Sequence, residues 1–321
     1  MSIQEDPTEA ASKADAYQLV TEQAYAVFRL EDVPTDSGWL YAQPVPVIAV
    51  GTGDCENADI VVGEDQLETV QSAISETPLA ASVLMQVLRA VERLPLQSAM
   101  SVESLAYATL QGGAEHQAWL SAQTEAPELI AGADDQSEPI IIEREDNILR
   151  AKLNRPEHRN SISVEMRDAL VELFELVQLD TSIERLELSG EGACFSTGGE
   201  LREFGLATDP AIAHQIRALH NPGRLLSEIA PRVQCHLHSA CVGSGIEIPS
   251  FAGRMIADPK TYMQLPELKL GLIPGAGGCV SISRRIGRQR TAWLATTGKR
   301  INAKTALEWG LIDEIVDKDD R

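Results

Sequence analysis

Two glutamates, Glu247 and Glu267, stand in the stretch 239–278, SACVGSGIEIPSFAGRMIADPKTYMQLPELKLGLIPGAGG. Glu247 follows the small-residue turn Gly243-Ser244-Gly245, which predicts a helix over 246–252. Unpaired N–H groups and the helix dipole at such a start favour developing negative charge. Glu267 follows a strand-like run over 261–265 and then Pro266, which ends the strand and puts the glutamate on a loop. Carboxyl groups so delivered can donate and accept protons, and free N–H groups can hold an oxyanion. Each feature alone is common, since a first-turn glutamate complements a helix dipole and Pro-Glu is an ordinary loop dipeptide. Their joint occurrence with two further glycine-rich segments favours chemistry.

The order and spacing resemble the crotonase (enoyl-CoA hydratase/isomerase) superfamily, whose pattern here is a glycine-rich turn, a glutamate, Pro-Glu, then Gly-x-x-Pro-Gly-x-Gly-Gly. This chain has Gly243-Ser244-Gly245-Ile246-Glu247, Pro266-Glu267 and Gly271-Leu272-Ile273-Pro274-Gly275-Ala276-Gly277-Gly278. Upstream it has Phe195-Ser196-Thr197-Gly198-Gly199-Glu200-Leu201-Arg202-Glu203, and before that Asn154-Arg155-Pro156-Glu157 with Asn160. The resemblance covers residues 139–318. It implies an α/β fold with a crotonase-like ββα spiral core, a homo-oligomer, and an acyl-CoA thioester as substrate. Coenzyme A is then part of the substrate, and no metal or redox cofactor is expected.

By motif position the backbone N–H groups of Gly199 and Ser244 form the oxyanion hole, and Glu247 and Glu267 are the catalytic pair. Ser244 stands where the family usually has glycine, and Glu200 where it usually has aspartate. Two carboxyl groups at one apolar acyl pocket cannot both ionise readily, so their proton affinities separate. That suits hydration of a 2-enoyl-CoA to a 3-hydroxyacyl-CoA, a lyase reaction of fatty acid metabolism. Glu267 would exchange the α-carbon proton while Glu247 orients water. Isomerisation, C–C cleavage and thioester hydrolysis are alternatives on the same scaffold, and a non-catalytic acyl-CoA-binding or assembly protein is the alternative of another class. Arg155, Arg159 and Arg202 are the cations offered to the coenzyme A phosphates.

The elements that must position these residues follow from patterning. A helix is predicted over 15–30, strands over 44–50 and 59–62, and helices over 65–76, 78–94 and 101–123, the last kinked or split by Gly112-Gly113. Leu105, Tyr107, Leu110, Trp119 and Leu120 read as packing positions, and this half carries no catalytic constellation. After a linker at 131–137 come a hairpin of 139–143 with 148–153, a helix over 163–178, a strand over 183–189 and the Phe195 loop. A helix over 210–229, a strand over 232–237 and helices over 277–286, 289–298 and 302–309 follow, with a closing strand over 311–316. Strand-loop-helix alternation sets the class.

A formal net charge of −21 argues against nucleic acid or an anionic membrane as partner. Residues 1–138 carry 23 acidic and 4 basic side chains and the remainder 25 and 23, which marks a boundary. Residues 1–138 are thus expected to form an acidic, mainly helical α+β N-terminal domain, and 139–321 the catalytic domain. Crotonase-like proteins usually continue into several C-terminal helices where this chain stops, so the N-terminal domain is expected to act as lid or assembly module. Five cysteines without paired spacing, and an acidic N-terminus without an apolar signal region, indicate a cytoplasmic protein.

Three rival motifs fail. Ser244 has glycines beside it but not two positions away on either side, where a nucleophile elbow needs them, Val280 occupies the third glycine position of a dinucleotide fingerprint, and Cys235, His236 and His238 lack further metal ligands.

Overall fold

The computed structural model describes residues 23–36, 38–125, 128 and 137–316. Three parallel strands, β1 (Ala26–Arg29), β2 (Val47–Val50) and β3 (Ile60–Val62), form the first sheet in that spatial order. All four residues of the central β2 are buried, as a parallel strand covered on both faces requires. β1 corrects the helix expected over 15–30, whose first part, 15–22, lies outside the described residues. Ala26 and Phe28 are buried while Arg29 is exposed, a two-residue period that pairing with β2 enforces over the local helical spacing.

The single-turn α1 (Trp39–Ala42) is followed by α2 (Glu64–Glu76), α3 (Pro78–Val91), α4 (Leu96–Gln111) and α5 (Ala114–Ser121). Gly112-Gly113 splits the expected third helix into α4 and α5. Pro78 begins α3 at a position where its missing N–H costs nothing. Glu115 of α5 reaches back to cap α3, accepting from Leu79 N and Ala80 N at 2.8 Å each.

The second half builds a six-stranded sheet in the order β12-β9-β7-β6-β5-β4. Its strands are β4 (Ile140–Glu145), β5 (Ile148–Leu153), β6 (Arg185–Gly190), β7 (Val233–Leu237), β9 (Arg254–Ala257) and β12 (Glu314–Ile315). β4 and β5 are an antiparallel hairpin and the other pairings are parallel. A smaller sheet, order β11-β10-β8, takes β8 (Ala240–Val242), β10 (Tyr262–Gln264) and β11 (Ile301–Asn302). The chain alternates between the sheets from β7 to β10, which is the spiral step. The helices are α6 (Val164–Leu179), α7 (Pro210–Leu219), α8 (Pro222–Ile229), α9 (Ser244–Glu247), α10 (Gly278–Ile286), α11 (Arg288–Thr297) and α12 (Ala303–Trp309).

Prolines account for two corrections here. Asn221-Pro222 divides the helix expected over 210–229, with Asn221 accepting from Arg224 N at 3.2 Å as a new N-cap. Pro249 has no N–H to continue α9, so the helix expected over 246–252 becomes one α turn and a 3-10 turn, Pro249–Phe251. The strand expected over 311–316 shrinks to Glu314–Ile315. Asn302 and Gly310 cap α12 as their types predict, with Thr305 N on Asn302 Oδ1 at 2.9 Å and Gly310 left-handed at φ 83°.

One hydrophobic cluster runs from Ile48 and Leu84 through Leu186 and Phe195 to Ile282 and Ile312, so the composition boundary near 138 is no break in the core. A buried polar knot joins the halves as well. Asp59 accepts from Arg89 Nε at 2.9 Å and from Arg288 Nη1 of α11 at 3.3 Å.

Candidate active site

The site begins at the carboxyl ends of β8 and β10. These strands pair in parallel, Tyr262 opposite Ala240 and Gln264 opposite Val242, so the segments leaving them run side by side. One enters Gly243 and α9, the other Pro266 and Glu267, and Gly243 N donates to Gln264 O at 2.9 Å. Gly243 has φ 52°, and a Cβ there would lie 2.6 Å from Glu267 Oε1. Only glycine lets the Glu267 carboxyl lie over the start of α9.

The Phe195 loop lies along the other side of β8. Val242 N donates to Ser196 O at 3.1 Å, and Ile162 N donates to Gly198 O at 2.7 Å. Buried Asn160 holds the loop through Nδ2 bonds to Glu191 O at 2.9 Å and Cys194 O at 3.0 Å. A Cβ on Gly198 would sit 2.6 Å from Val242 O, so the two glycine-rich segments pack backbone against backbone. Gly199, Ser244, Glu247 and Glu267 consequently line one cavity of about 540 Å³. Among the described residues no hydrogen bond uses the N–H of Gly199 or of Ser244.

Glu247 is 2% exposed, and its Oε2 accepts from Ala276 N at 2.8 Å and Gly278 N at 2.9 Å. Burial pushes its pKa up to about 7 against the pull of those N–H groups. Burial and then the Glu247 charge raise Glu267 well above the carboxylate range. Glu267 Oε2 and Ser244 Oγ are buried without a hydrogen-bond partner among the described residues.

A third carboxyl group joins them from the N-terminal half. Glu103 of α4, 1% exposed, accepts from Gly277 N at 2.7 Å and Cys279 N at 2.8 Å. Glu247 and Glu103 thus take alternate N–H groups of the turn that opens α10, 276 and 278 for one, 277 and 279 for the other. Burial and then the Glu247 charge raise Glu103 well above its ordinary range. Tyr107, one turn further along α4, also lines the cavity, as does Gln111. Tyr107, expected as a packing position, thus stands at the cavity wall.

The three arginines chosen from sequence behave differently from one another. Arg155 is buried and its guanidinium bonds Ser137, Glu138 O, Asn154 O and Glu165, which ties the entry loop together. Arg202 pairs with Glu200 at 2.9 Å. Burial would raise Glu200, but the bonds from Arg202 and Ser161 bring it down to about 2. Arg159 is exposed on the loop that carries its left-handed φ of 52°. Two arginines that do line the cavity, Arg167 and Arg217, belong to none of the motifs, and neither does His220 beside them.

A family model described as enoyl-CoA hydratase/isomerase matches residues 143–320. The chain belongs to the enoyl-CoA hydratase/isomerase family. Within this family it is 32% identical over 182 residues to the 1,2-epoxyphenylacetyl-CoA isomerase of Escherichia coli, covering 56% of this chain and 70% of that protein. It is 28% identical to the trans-2-decenoyl-[acyl-carrier-protein] isomerase of Streptococcus mutans, covering 55% and 68%. The crystal structure of enoyl-CoA hydratase from Thermoplasma volcanium superposes with a TM-score of 0.52 at 31% identity, covering 57% of this chain and 74% of that one. The second half therefore has the crotonase fold. The family match begins at 143, so Tyr107 and Gln111 of the cavity wall, and Glu103 on the turn that holds Glu247, come from a part of the chain outside the match.

Proposed function

We propose that the cavity binds an acyl-CoA thioester with its carbonyl oxygen on the N–H groups of Gly199 and Ser244, and that it hydrates a 2-enoyl-CoA to a 3-hydroxyacyl-CoA. The reading is carried by one observation, that two buried glutamates with raised proton affinities share a cavity with two unused N–H groups. Polarising the thioester draws negative charge onto its oxygen, where preorganised donors act strongly in a dry site. Glu267, whose proton affinity burial and the Glu247 charge raise, gives its proton to the α-carbon. Glu247, ionised in part near pH 7, takes a proton from the water whose oxygen bonds to the β-carbon. The net proton moves from Glu267 to Glu247, and exchange with solvent resets the pair. Arg159 and Arg202 remain the cations offered to the coenzyme A phosphates, and assembly into a homo-oligomer belongs to the same proposal.

A second reading has its own support. Glu247 Oε2 is held by two N–H groups while Glu267 Oε2 has no partner, so Glu267 alone could relay a proton between carbons and shift a double bond. Turnover of 2-enoyl-CoA and 3-enoyl-CoA thioesters by the wild type, Glu247→Gln and Glu267→Gln separates the two. Hydration is expected to fall about a hundredfold or more in both variants. Loss of isomerisation in Glu267→Gln alone, with no hydration by the wild type, would install the isomerase reading instead.

A further inference from the structure

The cavity contains a cation that the proposed reaction leaves unused. Arg217 of α7 lines it together with Tyr107 and Gln111 of α4. Its Cζ sits 4.5 Å from the centre of the Tyr107 ring. Its Nη1 donates to Gln111 Oε1 at 2.9 Å, its Nε to Ser104 Oγ at 3.3 Å and its Nη2 to Ser104 O at 3.4 Å. All three acceptors are neutral, and no carboxylate forms an ion pair with Arg217 among the described residues. A guanidinium has five N–H donors, so two are left over at a cavity wall. A half-buried cation whose hydrogen-bond partners are all neutral is incompletely compensated, and an incoming anion would complete its shell. Burial accordingly lowers its pKa, against the fields of Tyr107 and Glu103.

The place of Arg217 relative to the reacting groups follows from contacts. Glu247 holds Ala276 N, the adjacent Gly275 is covered by the Tyr107 ring, and that ring carries Arg217 over its face. An acyl chain whose thioester end meets Gly199 and Ser244 would run past Glu247 and Tyr107 toward the guanidinium. Ala213 and Ile216, on the same helix, give the wall between them an apolar surface. The wall beside Arg217 is therefore apolar with a guanidinium set into it, and planar bidentate recognition is what a guanidinium does best.

We propose that Arg217 recognises the far end of the acyl group, and that the preferred thioesters end in a carboxylate. The inference rests on the reading of the cavity as a thioester site, and the test separates the two. Binding of matched, unreactive saturated thioesters to the full chain is measured by calorimetry: pentanoyl-CoA against glutaryl-CoA, and hexanoyl-CoA against adipyl-CoA. In the wild type the carboxylate-ended member of at least one pair is expected to bind about tenfold tighter or more, as a charge-assisted hydrogen bond allows. In Arg217→Met that preference is expected to vanish while the plain thioesters keep their affinity, and Arg217→Lys should restore part of it. Equal binding within both pairs by the wild type overturns the inference and leaves the thioester site standing. A preference unchanged in Arg217→Met also overturns it and reduces Arg217 to a tie between α7 and α4. Failure of all four thioesters to bind overturns both readings. Equal binding by the wild type overturns the inference without any variant, and if Arg217→Met folds poorly, Arg217→Gln, which keeps a donor for the α4 contacts, takes its place.

Discussion

Glu247 bonds two N–H groups that favour its charge and lies in a burial that opposes it, and burial wins. A glutamate raised from its ordinary 4.5 to about 7 binds a proton more tightly in the folded chain than in the unfolded one. The stability it contributes is full below about pH 4.5 and is lost as the pH rises through about 7. The loss amounts to up to about 3 kcal/mol across that window. Glu247→Gln has no such proton to lose. Urea unfolding of both proteins from pH 5 to pH 8 is therefore expected to show the wild type losing ground to the variant as pH rises. A constant difference across the window would mean that Glu247 keeps an ordinary pKa. Glu200 has the opposite sign, since Arg202 and Ser161 hold it at about 2 and its contribution disappears only in acid. The two glutamates thus line the same cavity with opposite shifts in proton affinity.

At the scale of elements, α10 is the hinge of the site although it contains none of its acids. Its opening turn is held by Glu247 from α9 and by Glu103 from α4, and Gly277 adopts φ 106° to present the N–H groups. A Cβ on Gly278 would meet Glu247 Oε2 at 2.8 Å, so glycine is needed where the carboxylate approaches. Glu103→Ala leaves Gly277 N and Cys279 N buried and unpaired, and is expected to cost about 2 kcal/mol or more. The denaturant midpoint should fall at constant m-value, and kcat should fall with it because the turn also orients Glu247. An unmoved midpoint would show that the carboxyl group caps nothing. The split of α4 from α5 at Gly112-Gly113 belongs to the same arrangement, since it lets α5 turn back to cap α3 while α4 continues toward the cavity.

Over the whole molecule, the two halves share one hydrophobic cluster and the Asp59 knot. Arg89 and Arg288 are 3% and 7% exposed and Asp59 is fully buried, so removing the acid takes from Arg89 its carboxylate partner and leaves Arg288 only Glu92. Asp59→Ala is expected to destabilise the fold by about 3 to 5 kcal/mol. Calorimetry should show one transition at a lower temperature. Two transitions, only one of them displaced, would mean that the halves unfold independently. Integration of this kind also explains how an acidic helical segment outside the family match can supply a wall of the cavity: α4 packs between the α10 turn, through Glu103, and α7, through Arg217.

The sequence by itself determined the features that depend on a residue's own chemistry or on its neighbours in the chain. Pro266 ended β10 before Glu267, Gly243, Gly271 and Gly277 took the left-handed turns that their type permits, and Asn302 and Gly310 capped α12. The Gly-Glu and Pro-Glu motifs were legible because each is a local device. Tertiary structure alone decided that residues 26–29 are a strand, because the partner that pays their backbone hydrogen bonds lies 21 residues further on. It alone brought Glu103 to Gly277, 174 positions away, and Arg217 to Ser104, 113 positions away. Burial, which sets the proton affinities of all three glutamates, is likewise a property of the packed molecule. No window of sequence contains either end of such a contact together with the other, and a side chain's charge takes its meaning from what surrounds it.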